Sequence, residues 1–281
     1  MIIDAHVHIF PPEMVNNREQ FFADEPEFKA LYDSPKARLA TLETVLEMMP
    51  RQSVAKAVLC GFPWRKAAHY ELHNDYLAQA RALHPDKLAV LGSFHPAAPQ
   101  SENEARRCLE LGLSGLGELA FYSTPPDKAA LERLNPIMTL YAEAGLPVML
   151  HANEPVGHIY PGKSNAGISH YYNFCKKFPQ NKIILAHWGG GLIFYLLLKR
   201  EAPEVLKNVW FDTAASPYLY MTNVYEICNM VGHDRILFGS DFPLLEPHRY
   251  IGAIAETKIS NDAKSAILGL NAKNLFNFRP I

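Results

Sequence analysis

His6-Val7-His8 closes the apolar run Met1–Ala5. On a strand, residues i and i+2 point to the same face, so the two imidazoles emerge together. Two neutral imidazoles on one face are half of a site for a divalent cation. Four more ligand-type residues end apolar runs in the same way: Glu118, His151, His187 and Asp241. If the runs are strands of a closed barrel, residues far apart in sequence meet at one rim. Three or four N/O donors with an open position are what a hydrolytic zinc ion requires. Such an ion lowers the pKa of bound water toward ~7 and polarises a carbonyl, and it stabilises the oxyanion that develops. Asp241, a carboxylate beside that water, is placed to take its proton and pass it to a leaving group.

The elements that must position these residues are legible as short, β-rich apolar runs at Met1–Ala5, Val54–Cys60, Leu88–Ser93, Gly115–Leu119, Pro147–Leu150, Lys182–Ala186, Val209–Asp212 and Arg235–Phe238. Their continuous apolar character suits parallel strands buried on both faces. Helical patterns fill the gaps. Leu42, Val45, Leu46 and Met49 follow the spacing of a core-facing helix. Asn135-Pro136 predicts a helix start and Gly145 its end, and Ser260 predicts the cap of a helix near the C-terminus. Alternation without a composition break predicts a single (β/α)8 TIM barrel, one domain over residues 1–281. Two stretches exceed ordinary loop length, Pro11 to about Arg38 after the first strand and Glu154–His170 after the fifth. Both leave the face where such barrels keep their active sites, and both are expected to be lids or substrate walls.

Composition narrows the partners. The 281 residues are 48% hydrophobic and 20% charged with a net charge of −2, which is ordinary for a soluble globular chain. That charge gives no argument for nucleic acid or an anionic membrane, and no run is long enough to span a bilayer. The first strand and His6 need the start of the chain, so no cleaved signal peptide is expected. Cys60, Cys108, Cys175 and Cys228 are scattered and predict reduced thiols in a cytoplasmic protein. The expected partner is a small-molecule substrate, and a homo-oligomer is allowed.

The segments Asp4-Ala5-His6-Val7-His8, Leu150-His151-Ala152, Ala186-His187-Trp188-Gly189-Gly190 and Phe238-Gly239-Ser240-Asp241-Phe242-Pro243 resemble the amidohydrolase superfamily. Within it they are similar to the amidohydrolase-related branch that includes aminocarboxymuconate semialdehyde decarboxylase. Gly269-Leu270-Asn271-Ala272-Lys273-Asn274-Leu275-Phe276 resembles that family's terminal helix, so the likeness runs end to end. It implies a (β/α)8 barrel with a divalent metal, His6, His8 and Asp241 matching the more buried position and His151 and His187 the second. In mononuclear members the counterpart of His187 hydrogen-bonds substrate or water instead. Glu118 departs from the decarboxylase-type pattern and resembles the metal-proximal carboxylate of other superfamily hydrolases, including the TatD-like nucleases.

Around this core of residues, His95, Trp64, Tyr122, His158, Lys163 and Trp188 are the expected substrate contacts, with Phe62 as a further wall residue. Lys163 would receive a substrate carboxylate or phosphate. His69, His73, His84, His233 and His248 read as surface positions. Glu118 favours a Zn2+-dependent hydrolase, with one or two ions, acting on an amide, lactone or ester-like bond. The alternatives are a metal-dependent non-oxidative decarboxylase and a binding barrel without turnover.

Overall fold

The computed structural model describes residues 1–123 and 125–278. Eight strands follow one another in a single parallel sheet: β1 (Ile2–His8), β2 (Val54–Cys60), β3 (Leu88–Gly92), β4 (Gly115–Leu119), β5 (Val148–Leu150), β6 (Ile183–Leu185), β7 (Val209–Asp212) and β8 (Ile236–Leu237). The last strand returns to the first. The Ala5 amide donates to Phe238 O (2.7 Å), the Asp241 amide to His6 O (2.9 Å) and the His8 amide to Phe242 O (2.7 Å). The result is the expected (β/α)8 barrel. Among the described residues no helix is long and apolar enough to cross a membrane.

Ile3, Ala5, Val58, Cys60, Ala89, Leu91, Met149, Ile184 and Leu237 form one buried cluster inside the barrel, joined by Ala272, Leu275 and Phe278 of the C-terminal segment. This filling closes the N-terminal end of the strands and leaves the opposite rim for a site. Simple alternation from Ile3 and Ala5 would turn His6 and His8 outward. A bulge prevents it. Between Asp4 and Val7 the first strand advances three residues while its partner advances two, Ala57 to Leu59. That extra residue re-aims the side chains beyond it. β4 repeats the device between Leu116 and Leu119, the stretch that holds Glu118. Gly117 is required there, because a Cβ on it would lie 2.6 Å from Met149 Cβ.

Three local expectations are corrected. The helix Lys128–Glu143 starts well before Asn135, since Asp127 caps it by accepting from the Ala130 amide at 2.7 Å, and Pro136 lies inside it. The Pro11–Arg38 stretch is not plain loop but carries short helices at Pro12–Asn16 and Pro26–Tyr32 with a 3-10 turn at Arg18–Phe21. His73 is fully buried, accepting from Trp64 Nε1 (2.9 Å) and donating to the Ile9 carbonyl (2.6 Å). Its neighbours hold the ring in one orientation, and burial pushes its pKa down to about 3. Ser260 caps its helix as expected, and all four cysteines are buried free thiols.

Candidate metal centre

His6 and His8 meet at their tips, Nε2 to Nε2, 3.0 Å apart. Asp241 Oδ1 lies 3.5 Å from His8 Nε2 and 3.8 Å from His6 Nε2, and Glu118 Oε2 lies 3.8 and 3.9 Å from the same two atoms. The other carboxylate oxygen of Glu118 faces His151 Nδ1 at 3.1 Å and His187 Nε2 at 3.6 Å. Two three-residue groups able to hold a metal ion result, His6–His8–Asp241 and Glu118–His151–His187. All six predicted ligand-type residues are thus brought together, with Glu118 between the groups.

The rings are fixed from behind. His6 Nδ1 donates to Asp212 Oδ2 at 2.9 Å, which leaves Nε2 to face the site. Asp212 Oδ1 accepts from the His187 and Ala214 amides at 2.9 and 3.0 Å. Asp212 closes β7 and is wholly buried. Sequence reasoning passed over it, although it ends an apolar run just as the others do. His187 Nδ1 donates to Ala214 O at 3.1 Å, and His151 Nε2 to Gly162 O at 3.0 Å, so both rings offer their remaining nitrogen inward. His187 to Gly191 form five consecutive residues in the left-handed region. A Cβ on Gly190 would sit 2.2 Å from Asn153 O, so this turn and its packing require glycine there. Asp241 is also left-handed, at φ 60°. Its neighbour Ser240 is tied to Asp4 through amide (2.9 Å) and hydroxyl (2.5 Å) and receives Tyr250 OH on its carbonyl (2.7 Å).

Electrostatics favour a cation at the meeting point. Burial opposes charge on His6, yet Asp212, Glu118 and Asp241 outweigh it and carry its pKa up to about 10. For His187, burial is likewise overcome, by the Glu118 hydrogen bond and the Asp241 charge, to about 9. Burial and the neighbouring His6 push His8 down. Glu118 stays well below the usual carboxylate range, because the facing histidines outweigh its burial. His8 Nδ1 is buried with no partner among the described residues. Nitrogen tips ringed by two carboxylates and drawing positive charge to one point fit a divalent cation.

A cavity of about 710 Å³ opens above the cluster. His8, Glu118, His151, His187 and Asp241 line its floor, and Leu31, Tyr32, Phe62, Tyr122 and Tyr218 are among its walls. Tyr122 and His158 are the expected substrate contacts that line it. The other four do not. Trp64 is fully buried against Phe28 and Phe62. Trp188 is buried against Tyr225 with Nε1 donating to Ser216 Oγ at 2.7 Å. His95 accepts from the Ala97 amide outside the cavity lining. Lys163 donates to Glu154 Oε1 (3.0 Å), Val156 O (2.6 Å) and His158 O (3.2 Å), strapping its own loop.

The barrel has many structural relatives. A 5-carboxyvanillate decarboxylase from Sphingomonas paucimobilis superposes with TM-score 0.76 at 19% identity, covering 98% of both chains. A 5-carboxyvanillate decarboxylase from Novosphingobium aromaticivorans, solved as a mutant with manganese and 3-methoxy-4-hydroxy-5-nitrobenzoic acid, gives TM-score 0.76 at 20% identity, covering 99% of this chain and 97% of that one. A dihydroxybenzoic acid decarboxylase from Polaromonas sp., with manganese and the inhibitor 2-nitroresorcinol, gives 0.70 at 19%, covering 100% and 98%. No curated protein sequence matches the chain. These structures overturn the hydrolase expectation: they are similar barrels, and the activity in their names is decarboxylation. Glu118 does not decide the reaction, because a carboxylate shared by four histidines adds a donor without selecting a bond to break. With the amidohydrolase model matching residues 3–278, and the barrel and its rim of histidines and carboxylates in place, the chain belongs to the amidohydrolase family.

Proposed function

We propose that the chain is a divalent-metal-dependent carboxy-lyase that removes carbon dioxide from a small aromatic carboxylic acid. The observation that carries this reading is the acid–imidazole cluster at the floor of a cavity walled by Leu31, Tyr32, Phe62 and Tyr122. That shape suits a flat ring whose carboxylate points down. The compared decarboxylases, two of them with manganese, support it. His6, His8 and Asp241 would hold the ion, with Glu118, His151 and His187 as a second donor group; Mn2+ and Zn2+ are the proposed ions. When bound, the cation would offset the negative charge of the substrate carboxylate.

The protein's own groups do the rest. Asp241, with its side chain 14% exposed at the cavity floor, carries a proton from solvent to the ring carbon that bears the carboxylate. The C–C bond then breaks, its electron pair returns to the ring, and neutral carbon dioxide leaves. With one ion bound, His187, steadied by Ala214 O, is free to present Nε2 to a substrate oxygen, while His158 and Tyr122 on the cavity lining contact the substrate body. Apolar walls exclude water and disfavour a localised carboxylate charge relative to the neutral product. The whole chain acts as one domain in this proposal, in the cytoplasm, where buried free thiols persist.

The test is turnover. Chelator-stripped protein reloaded with Mn2+ or Zn2+ should release carbon dioxide from a panel that includes 5-carboxyvanillate and 2,6-dihydroxybenzoate. In D2O the product should carry one solvent deuterium at the vacated carbon, and Asp241→Asn should lose ~10²–10⁴-fold in rate. No carbon dioxide from any aromatic acid of the panel, with metal demonstrably bound, refutes the assignment.

A further inference from the structure

Of the four tyrosines that line the cavity, Tyr32, Tyr122 and Tyr218 have no hydrogen-bond partner for their hydroxyls among the described residues, and of these three only Tyr32 and Tyr122 are half-buried, Tyr218 being 59% exposed. Tyr160, on the same wall, differs: its hydroxyl donates to Glu154 Oε2 at 3.0 Å. Nor are the two rings free to turn away. Tyr32 packs against Phe28 (4.8 Å between centroids), Phe10 (5.5 Å) and Phe62 (6.0 Å). Tyr122 packs tilted against the His151 ring, 4.9 Å between centroids, and Gly162 borders its edge at ordinary contact distance, a Cβ there lying 4.0 Å from Tyr122 Cε1. The same Cβ would be 3.0 Å from Leu31, next to Tyr32 in sequence, so the segments bearing the two phenols meet across Gly162. A phenol has an ordinary pKa of ~10, so both hydroxyls are protonated at neutral pH and can donate a hydrogen bond.

A ligand that fills the cavity removes water from both hydroxyls. A hydrocarbon edge would leave them buried and unpaired, and an unpaired buried donor is costly. An oxygen on the ligand would pair them. We propose that Tyr32 and Tyr122 are specificity-determining residues, selecting aromatic acids that carry an oxygen substituent on the ring where it meets these two hydroxyls. The proposal rests on the carboxy-lyase reading for the orientation of the acid but reads out through binding, which separates the two. A site built to hydrogen-bond an oxygen rejects the analogue lacking it more strongly than an apolar pocket rejects an extra group.

The experiment uses the full chain loaded with Mn2+ and four probes: benzoate and 2-, 3- and 4-hydroxybenzoate, with binding measured by calorimetry. Wild type should prefer at least one hydroxybenzoate over benzoate by roughly 10- to 100-fold. In the Tyr32→Phe, Tyr122→Phe double variant that ratio should fall toward one, with each single variant losing part of it. Both rings survive the substitution, so packing against Phe28 and His151 is kept, and thermal unfolding checks that the barrel is intact. Should the double variant be unfolded, the single variants decide. Equal binding of all four probes by wild type, no binding of any, or a ratio unchanged by loss of the hydroxyls overturns the proposal. Loss of the preference without any carbon dioxide release would sink the reaction assignment alone.

Discussion

Replacing Asp212 by Asn perturbs the metal centre without touching a proposed ligand. Asn keeps a carbonyl oxygen for the His187 and Ala214 amides, which Asp212 Oδ1 now accepts at 2.9 and 3.0 Å, so the turn after β6 should persist. What changes is the atom facing His6 Nδ1 at 2.9 Å, where an NH2 replaces an acceptor. Two donors cannot face each other there. His6 must accept at Nδ1, which moves its proton to Nε2, the atom 3.0 Å from His8 Nε2 and 3.8 Å from Asp241. The proton then occupies the position proposed for the ion. Substitutions of partners behind metal ligands typically weaken metal affinity ~10–100-fold, or about 1.4–2.7 kcal/mol. A second effect has the opposite sign. Asp212 is the largest of the charges that raise His6 to about 10, and its loss lowers the proton competition that the ion must overcome. That relief grows as pH falls, so the net deficit should be larger at pH 9 than at pH 7. Competition titration with a chromophoric chelator at both pH values measures it. Unchanged affinity at pH 9, or a deficit that is larger at pH 7, refutes the reasoning.

Because His6 and His187 sit near 10 and 9 in the metal-free protein, an incoming ion displaces their protons, and apparent affinity should climb by up to about two decades per pH unit between pH 7 and 9; a plateau from pH 7, read in the same titration, would contradict this. The same raised values stabilise the metal-free fold fully below the ordinary histidine range near ~6.5 and lose that contribution as pH rises through them, so its melting temperature should fall from pH 7 to 10, and an equal fall in a His6→Gln control would refute the attribution. Gly190→Ala places a Cβ 2.2 Å from Asn153 O at a left-handed position and should cost at least about 1–3 kcal/mol in denaturant unfolding. Lys163→Met removes the strap to Glu154, Val156 O and His158 O and should raise KM more than it lowers kcat, since the loop walls the cavity but the proposed chemistry lies at its floor.

Residue type and strand-end position were enough to pick out six donors, because convergence on one rim follows from the barrel alone. The face was not legible. Period-two alternation puts His6 and His8 on a common side but does not say whether that side is in or out, and the bulge between Asp4 and Val7 that turns them inward has no glycine or proline to announce it. In β4 the corresponding bulge does carry a mark, Gly117, whose missing side chain makes room for Met149. Asp212 is not distinguishable in the sequence from a further donor, because only the fold shows that its oxygens face His6 Nδ1 and the His187 amide from behind the site. The four aromatics at strand ends look alike as letters; packing separates Phe62 and Tyr122, on the cavity, from Trp64 and Trp188, beneath it.

The reaction is hidden for a different physical reason. Glu118 at a strand end points to hydrolysis in the sequence, yet the number and kind of donors set how tightly a cation is held, not which bond it helps to break. That choice lies with what the space above the cation accepts. Here that space is walled by Leu31, Tyr32, Phe62 and Tyr122, brought together from the loops after β1, β2 and β4. No pattern within one segment encodes such a wall, since each residue acquires its role only when the other loops fold over the rim. Under the proposed reading, an aromatic acid in this cavity lies beside Asp241, and the lining above the donors, not the donors themselves, selects the bond that breaks.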